Sequence, residues 1–285
     1  MKGKLVILLG PTAVGKTDYS LSLAQRYDSP IISCDSRQIY REMCIGTAVP
    51  SREQLAAVKH YFIQTRSVRD YYTAGIYERE ALDLIRRLFD EGHETLVMSG
   101  GSMFYIDAVC NSLSGIPSAD ADFREQLRSR VAAEDPGFLA RELERLDPEA
   151  FRTMDLSNTQ RLFRAVEICL WTGRPYSSFK PSPAGREFEI EKIGLTRPRE
   201  ELYERINRRV LQMMDEGLLE EARTLLPLRE LTALQTVGYT ELFDYFDGKT
   251  DLDEAIRLIQ RNTRHYAKRQ LTWWRRDPAI RWIEA

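Results

Sequence analysis

The segment Gly-Pro-Thr-Ala-Val-Gly-Lys-Thr at residues 10–17 constrains this chain more than any other stretch. A mostly apolar run at 4–9 precedes it, and apolar residues recur at helical spacing over 16–27 behind it. The run is too short for a helix and suits a parallel strand buried on both faces. Strand, glycine-bearing loop and helix in that order make a phosphate loop. Successive loop N–H groups form an anion-binding concavity, and the positive end of the helix adds to it. In this pattern Lys16 reaches the terminal phosphates and the Thr17 hydroxyl ligates Mg²⁺.

The remaining pattern alternates in the same way. Residues 30–35 read as a second short strand that ends in an acid, and 75–91 as an amphipathic helix stopped by Gly92. A third strand at 95–98 runs into Ser99-Gly100-Gly101. Strands alternating with helices predict a parallel sheet covered on both faces. Near residue 112 the chain turns polar, and 123–172 shows only helical periodicity, punctuated by Pro136, Pro148 and Gly173-Arg174-Pro175. A strand returns at 189–197. Helices are expected at 199–226, 230–246 and 251–276, with a last strand at 280–283. The expected fold is therefore α/β: a P-loop parallel-sheet core flanked by helices, from residues 1–111 and 188–285, with a helical insertion domain at 112–187.

Composition narrows the function classes. The net charge of −2 leaves no overall basic footprint, so a nucleic-acid site has to be a local patch. No apolar run reaches the ~18 residues of a membrane span. Residues 1–9 show no secretory leader, and Cys34, Cys44, Cys110 and Cys169 are scattered without a CxxC pair. A cytoplasmic protein without disulfides or structural zinc is expected. Phosphate-loop NTPases also use a strand ending in an Asp that holds Mg²⁺. The candidate here, Thr95-Leu-Val-Met98, ends in Ser99 instead, which disfavours a motor or switch and favours a transferase.

Asp35 ends the second strand. Strand carboxyl ends line the ligand crevice of open parallel sheets, and a carboxylate there can take a proton from an incoming nucleophile. It can equally cap the turn at 36–40 or serve Mg²⁺ from its outer shell, and the residue alone leaves these readings open.

The segments Asp35-Ser36-Arg37-Gln38-Ile39-Tyr40, Ile45-Gly46-Thr47-Ala48-Val49-Pro50 and Gly100-Gly101-Ser102-Met103-Phe104-Tyr105 are more specific. So are Gln160-Arg161-Leu162-Phe163-Arg164, Gln235-Thr236-Val237-Gly238-Tyr239 and Tyr266-Ala267-Lys268-Arg269-Gln270. Together they resemble the tRNA dimethylallyltransferase (tRNA isopentenyltransferase) family in its bacterial form, over nearly the whole chain. The resemblance implies transfer of a dimethylallyl group from dimethylallyl diphosphate to N6 of the adenosine 3′ of the tRNA anticodon, with diphosphate leaving. It implies that Gly10, Pro11, Thr12, Ala13, Val14, Gly15, Lys16 and Thr17 cradle the donor diphosphate with Mg²⁺ on Thr17. Lys16 would stabilise the leaving group, Asp35 would act as base on N6, and Ser102 would hydrogen-bond donor or acceptor. Ser102 stands where the family usually has Thr, and Val49 where Lys is common.

Arg205 and Arg209, at i and i+4, are candidates for donor phosphate contacts or a solvated charged face. Asp35, Ser36, Arg37, Gln38 and Ser102 would meet the target base, extruded from its loop. Gln160, Arg161, Leu162, Phe163 and Arg164, behind caps at Ser157 and Asn158, match the family's tRNA-contacting segment. Arg124 matches another contact, with a salt bridge to Glu125, Glu142 or Glu144 as the alternative. Over 255–276 stand Arg257, Arg261, Arg264, Lys268, Arg269, Arg275 and Arg276 with no acid, a stripe suited to RNA phosphates. Trp273 and Trp274 are expected in packing roles. The partners implied are a tRNA anticodon stem-loop and dimethylallyl diphosphate, with the enzyme a monomer. An adenylate isopentenyltransferase acting on free AMP, ADP or ATP and an ATP-dependent small-molecule kinase are the rival readings.

Overall fold

The computed structural model describes residues 3–112, 117, 119–179 and 185–285. Its elements in chain order are β1 (Lys4–Leu9), α1 (Lys16–Tyr27), β2 (Ile31–Ser33), α2 (Arg52–Ala57), β3 (His60–Tyr61), α3 (Ala74–Asp90), β4 (Thr95–Gly100) and α4 (Met103–Asn111). Then follow α5 (Ala121–Ala133), α6 (Phe138–Leu146), α7 (Pro148–Thr153), α8 (Thr159–Thr172), β5 (Glu189–Thr196), α9 (Arg199–Asp215), α10 (Leu218–Leu225), α11 (Thr240–Phe246), α12 (Leu252–Trp274) and β6 (Ile280–Glu284). The chain divides into two compact units. One comprises Met1–Asp70, Glu80–Asp107 and Arg186–Ala285, the other Tyr71–Arg79 and Ala108–Gly185.

The first unit is built on a sheet of order β3-β2-β4-β1-β5-β6, with every pairing parallel. β1 lies between β4 and β5, with Leu9 level with both Gly100 and Gly194. Ser33 of β2 lies level with Ser99 of β4. These registers bring the carboxyl ends of β1, β2 and β4 side by side, so the loops that leave them share one crevice. The sheet is anchored by burial: Val6, Leu8, Val97, Ile193 and Leu195 pack with Leu23 and Ala24 of α1, Leu202 and Ile206 of α9, and Ala267 of α12.

In the second unit, Phe138, Leu139 and Leu143 of α6 pack with Leu162, Ala165 and Val166 of α8, and with Ala150 and Met154. Asp147 caps α7 by accepting from the Ala150 N–H at 3.0 Å, and it also accepts from the Ser177 N–H and hydroxyl at 2.6 and 3.0 Å.

Several elements differ from the sequence expectation for local reasons. The helix expected over 199–226 is two, because Gly217 takes φ 103° and separates α9 from α10. Of 230–246 only Thr240–Phe246 is helical. Gly238, at φ 101°, gives its N–H to the Glu241 carboxylate at 2.8 Å instead of to a helical carbonyl. Pro148 starts α7 at its first turn, where a missing N–H costs nothing. The α2 turn carries a full capping box, Ser51 with Gln54, in a segment where no helix was expected, nor was one over α4. β3 is two residues long, too short for any periodicity. Among the described residues no helix is long and apolar enough to cross a membrane.

Candidate active site

The phosphate loop leaves β1 and enters α1 through two left-handed residues, Ala13 at φ 64° and Gly15 at φ 112°. A side chain at Gly15 would be strained, and its absence leaves the head of α1 open to an anion. The loop carbonyls are held by cationic side chains. Lys16 Nζ donates to the Gly10 and Pro11 carbonyls at 2.7 and 2.8 Å. Arg205 Nε donates to the Ala13 carbonyl at 2.9 Å, and Arg197 Nε to that of Val14 at 2.8 Å. The Val14 side chain is fully buried in the core of the sheet, so it anchors the loop.

Charge at this loop is unbalanced. Burial pushes the Lys16 ammonium down to about 8; the Asp35 carboxylate opposes that shift and Arg209 reinforces it. Burial also lowers Arg209, again opposed by Asp35 and reinforced by Arg205. Four cations therefore converge on the head of α1, of which Arg197 is paired with Glu201 at 2.5 Å, and Asp35 is the carboxylate acting on both Lys16 and Arg209. Such a field favours a multiply charged anion over the free site.

Asp35 follows β2. Its Oδ1 accepts from the N–H groups of Arg37 and Gln38 at 2.8 and 3.2 Å, which folds residues 35–38 into a turn around it. The capping role left open by the sequence is thus real for one oxygen. Ser36 and Arg37 fill the turn, half-buried. The Gln38 amide donates to the carbonyls of Thr47 and Ala48 at 3.0 and 2.9 Å, so its nitrogen is engaged within the protein.

β4 contributes Gly100-Gly101-Ser102. A Cβ on Gly100 would sit 2.6 Å from the carbonyl carbon of Cys34, and one on Gly101 would sit 2.6 Å from Gln270 Nε2. Gly100 is required by the Cys34 backbone, and a side chain at Gly101 would displace the Gln270 amide. Ser102 N–H donates to the Cys34 carbonyl at 3.2 Å, tying the end of β4 to that of β2. Gln270, buried in α12, accepts from Thr12 N–H at 2.9 Å and donates to the Gly101 carbonyl at 2.8 Å. One side-chain amide thereby links the phosphate loop to β4. The Tyr266 hydroxyl donates to the same Gly101 carbonyl at 3.3 Å, and burial raises its pKa. Ser102 is nearly buried, and its hydroxyl finds no partner among the described residues. Lys16, Arg209, Asp35 and Ser102, all proposed from sequence, stand with this set; Arg197 and Gln270 were not assigned a role there.

The other predicted residues belong to the second unit. Asn158 caps α8 by accepting from Arg161 N–H at 3.0 Å, and Gln160 and Arg161 are exposed. The Leu162 side chain is 4% exposed and belongs to the core, so it cannot itself meet a ligand. Arg164 donates to the Glu167 carboxylate and to the Pro117 carbonyl at 2.9 Å. Arg124 donates to the Tyr71 hydroxyl at 2.8 Å, lies 3.4 Å from Glu167 and stacks over Tyr71 and Phe163. The carboxylate facing Arg124 is therefore fully buried Glu167, not Glu125, Glu142 or Glu144. Removing either arginine would leave that charge short of a partner.

The basic stripe on α12 is partly engaged within the protein. α12 begins early enough to include Glu254, which pairs with Arg257 at 2.8 Å. Arg264 is half-buried against the Asn207 side chain at 2.5 Å, and Arg269 lies over the Tyr266 ring. Arg257, Arg261, Lys268, Arg269, Arg275 and Arg276 are exposed. Trp274 is buried; Trp273 donates to Asp107 at 3.0 Å and meets Phe104 edge-on.

A parallel sheet carrying a phosphate loop, a cation cluster and a carboxylate, Asp35, that acts on both Lys16 and Arg209, with a β4 strand that ends in Ser99-Gly100, defines a P-loop group transferase. Comparison with known proteins gives the family. A relative from Porphyromonas gingivalis named tRNA dimethylallyltransferase 2 is 54% identical over 280 residues, 98% of this chain and 93% of its own. One from Bacteroides fragilis named tRNA dimethylallyltransferase 1 is 50% identical, again over 98% of this chain and 93% of its own. The crystal structure of a full-length tRNA isopentenylpyrophosphate transferase from Bacillus halodurans matches with a TM-score of 0.72 at 39% identity, covering 99% of this chain and 90% of its own. The chain belongs to the IPP transferase family, whose family model matches residues 38–277, and it is a transferase.

Proposed function

We propose that this protein transfers the dimethylallyl group of dimethylallyl diphosphate to N6 of the adenosine 3′ of the anticodon in tRNA. The observation that carries this reading is the cation cluster at the head of α1 facing Asp35: the cations suit a departing diphosphate and the carboxylate suits a proton-bearing nucleophile. The names of the relatives give the same substrate class.

In this reaction the C1–O bond of the donor breaks as an N6–C1 bond forms. The electron pair leaves with diphosphate, and the N6 proton passes to Asp35. Lys16 and Arg209 neutralise charge as it grows on the leaving group, which is stabilisation aimed at the transition state. Asp35 also orients an amine that is a poor nucleophile, aided by the Ser102 hydroxyl. Residues 35–38 receive the base. Gln160, Arg161, Arg164 and Arg124 of the second unit, the helical insertion, contact the anticodon stem-loop.

The donor set fits Mg²⁺. Among the described residues no group of three or more His, Cys, Asp and Glu is arranged to hold a metal, and Thr17 is exposed in the first turn of α1. Mg²⁺ usually takes few protein ligands and completes its shell with phosphate oxygens and water. Thr17 would hold it, and the ion would supply Lewis-acid assistance to the leaving diphosphate.

The test is transfer of label from dimethylallyl diphosphate. Label is expected in an anticodon stem-loop containing the target adenosine. Label in AMP but not RNA would assign the protein to free adenylates, and ATP consumption without label transfer would assign a kinase.

Arg261 and Lys268 on α12 are proposed to contact tRNA phosphates. Replacing both with Ala is expected to weaken tRNA binding at every sequence and to flatten the plot of log affinity against log salt by about one to two units. An unchanged slope in a salt titration would remove α12 from the interface.

A further inference from the structure

Within the first unit, the Glu221 carboxylate on α10 is enclosed by donors from elsewhere. Its Oε2 accepts from the N–H groups of Cys44 and Ile45 at 2.9 and 2.8 Å. Its Oε1 accepts from Gly46 N–H at 2.9 Å and from the Tyr239 hydroxyl at 2.7 Å. Three successive backbone amides thus form a nest around a side chain of the same protein. Tyr239 is fully buried, and a Cβ on Gly46 would lie 2.6 Å from its hydroxyl oxygen, so glycine is required there. Tyr239 is in turn placed by Glu241, whose carboxylate accepts from Gly238 N–H at 2.8 Å, from the Thr240 hydroxyl at 3.0 Å and from Asn262 Nδ2 at 2.7 Å.

The nest is connected to the reaction centre. Residues 44–46 continue into Thr47 and Ala48, whose carbonyls hold the Gln38 amide at 3.0 and 2.9 Å. Ala48 has φ 51° and bonds back to Ile45 at 2.9 Å, so the loop has little freedom of its own. Gln38 N–H then donates to Asp35 Oδ1 at 3.2 Å. We infer that Glu221 is a positioning residue for the transfer reaction: it holds the 44–48 loop, and through Gln38 it fixes the turn that aims the second oxygen of Asp35 at the acceptor amine. The inference rests on the reaction proposed above. Neither Glu221 nor Tyr239 bonds the phosphate loop, so donor capture is separate from this chain of contacts.

A carboxylate accepting four donors has no isosteric substitute. In Glu221→Gln the NH₂ group must face at least one N–H or O–H, and the nest opens. Misplacing a catalytic group by about 1 Å costs on the order of a hundredfold in rate. Glu221→Gln is therefore expected to lower kcat with the stem-loop by about ten- to a hundredfold, with KM for dimethylallyl diphosphate within about twofold. Gln38→Ala is expected to act along the same path, so the double variant should be no slower than the slower single one. Tyr239→Phe removes one donor, leaves the backbone amides in place, and is expected to give a smaller loss of the same kind.

Hydrogen exchange on the full-length variants reads the coupling without activity. In Glu221→Gln, or in Tyr239→Phe should the former not fold, the amides of Arg37 and Gln38 are expected to exchange faster along with those of residues 44–46. Additive kinetic losses, an equal loss of donor affinity, or unchanged exchange at residues 37–38 would each overturn the inference. A wild-type enzyme that transfers no label to RNA would instead overturn the proposed reaction, while the exchange result would still decide whether Glu221 sets the turn.

Discussion

Asp35→Asn is expected to lower the rate of dimethylallyl transfer by about 10²- to 10⁴-fold, the range of general acid–base catalysis, while changing donor affinity by less than about twofold. Asn is the informative replacement because of the turn. Oδ1 accepts from Arg37 and Gln38 N–H, and an Asn carbonyl oxygen can accept the same two bonds. The amide NH₂ then falls where the second carboxylate oxygen stood, so shape is kept and the capacity to take a proton is lost. Asp35→Ala removes both, and its additional loss over Asn measures the worth of the turn. Single-turnover transfer and equilibrium donor binding separate the two. A Asn variant within a few-fold of wild type would place the base elsewhere. The substitution has a second, signed consequence. The Asp35 charge holds the Lys16 pKa up against burial and Arg209, so neutralising it drives Lys16 lower still. Donor capture by Asp35→Asn should therefore begin to fail at lower pH than in wild type.

The parts of this site that are local in sequence were legible in it. The phosphate loop was readable because strand, loop and helix are contiguous, and Asp35 because it ends a short apolar strand. The paired glycines were visible as letters, but their reason lies in Cys34 and Gln270, which approach across the sheet. Gln270 is the clearest case of a role hidden from sequence. Its two-ended amide reaches Thr12, 258 positions away, and Gly101, 169 positions away, and no periodicity in α12 marks it beyond its place in a quoted motif. Arg197, just after β5, and Arg205 of α9 reach loop carbonyls; Arg205 is a candidate from sequence beside Arg209, but nothing in the sequence marks Arg197. The basic stripe on α12 is legible in sequence, but which of its charges are engaged is not. The Asn207 partner of Arg264 is a tertiary fact, whereas the Tyr266 ring under Arg269 lies three residues away on the same helix. Helix ends failed where a glycine took a left-handed turn inside an otherwise periodic run, as at Gly217.

Lys16→Ala is expected to cost about 10²- to 10³-fold in kcat, comparable to removal of one donor from a preorganised oxyanion site. The pH dependence tests the physical argument more sharply. The Lys16 pKa of about 8 in the free protein is set chiefly by burial, with Arg209 adding to the shift. The protonated form is the one that binds diphosphate and steadies the leaving group. Below pH 8 Lys16 is cationic and kcat/KM for the donor is flat with respect to this group. Above it the cation is lost, and kcat/KM is expected to fall toward tenfold per pH unit. Binding near that pH should take up protons, since an arriving diphosphate restores the ammonium that burial disfavours. Lys16→Arg separates charge from shape. A guanidinium stays protonated across this range, so the fall near pH 8 should vanish even though the larger head lowers the absolute rate. Persistence of the same break in the Arg variant would assign it to another group and leave Lys16 a scaffold for the Gly10 and Pro11 carbonyls it bonds in the free loop.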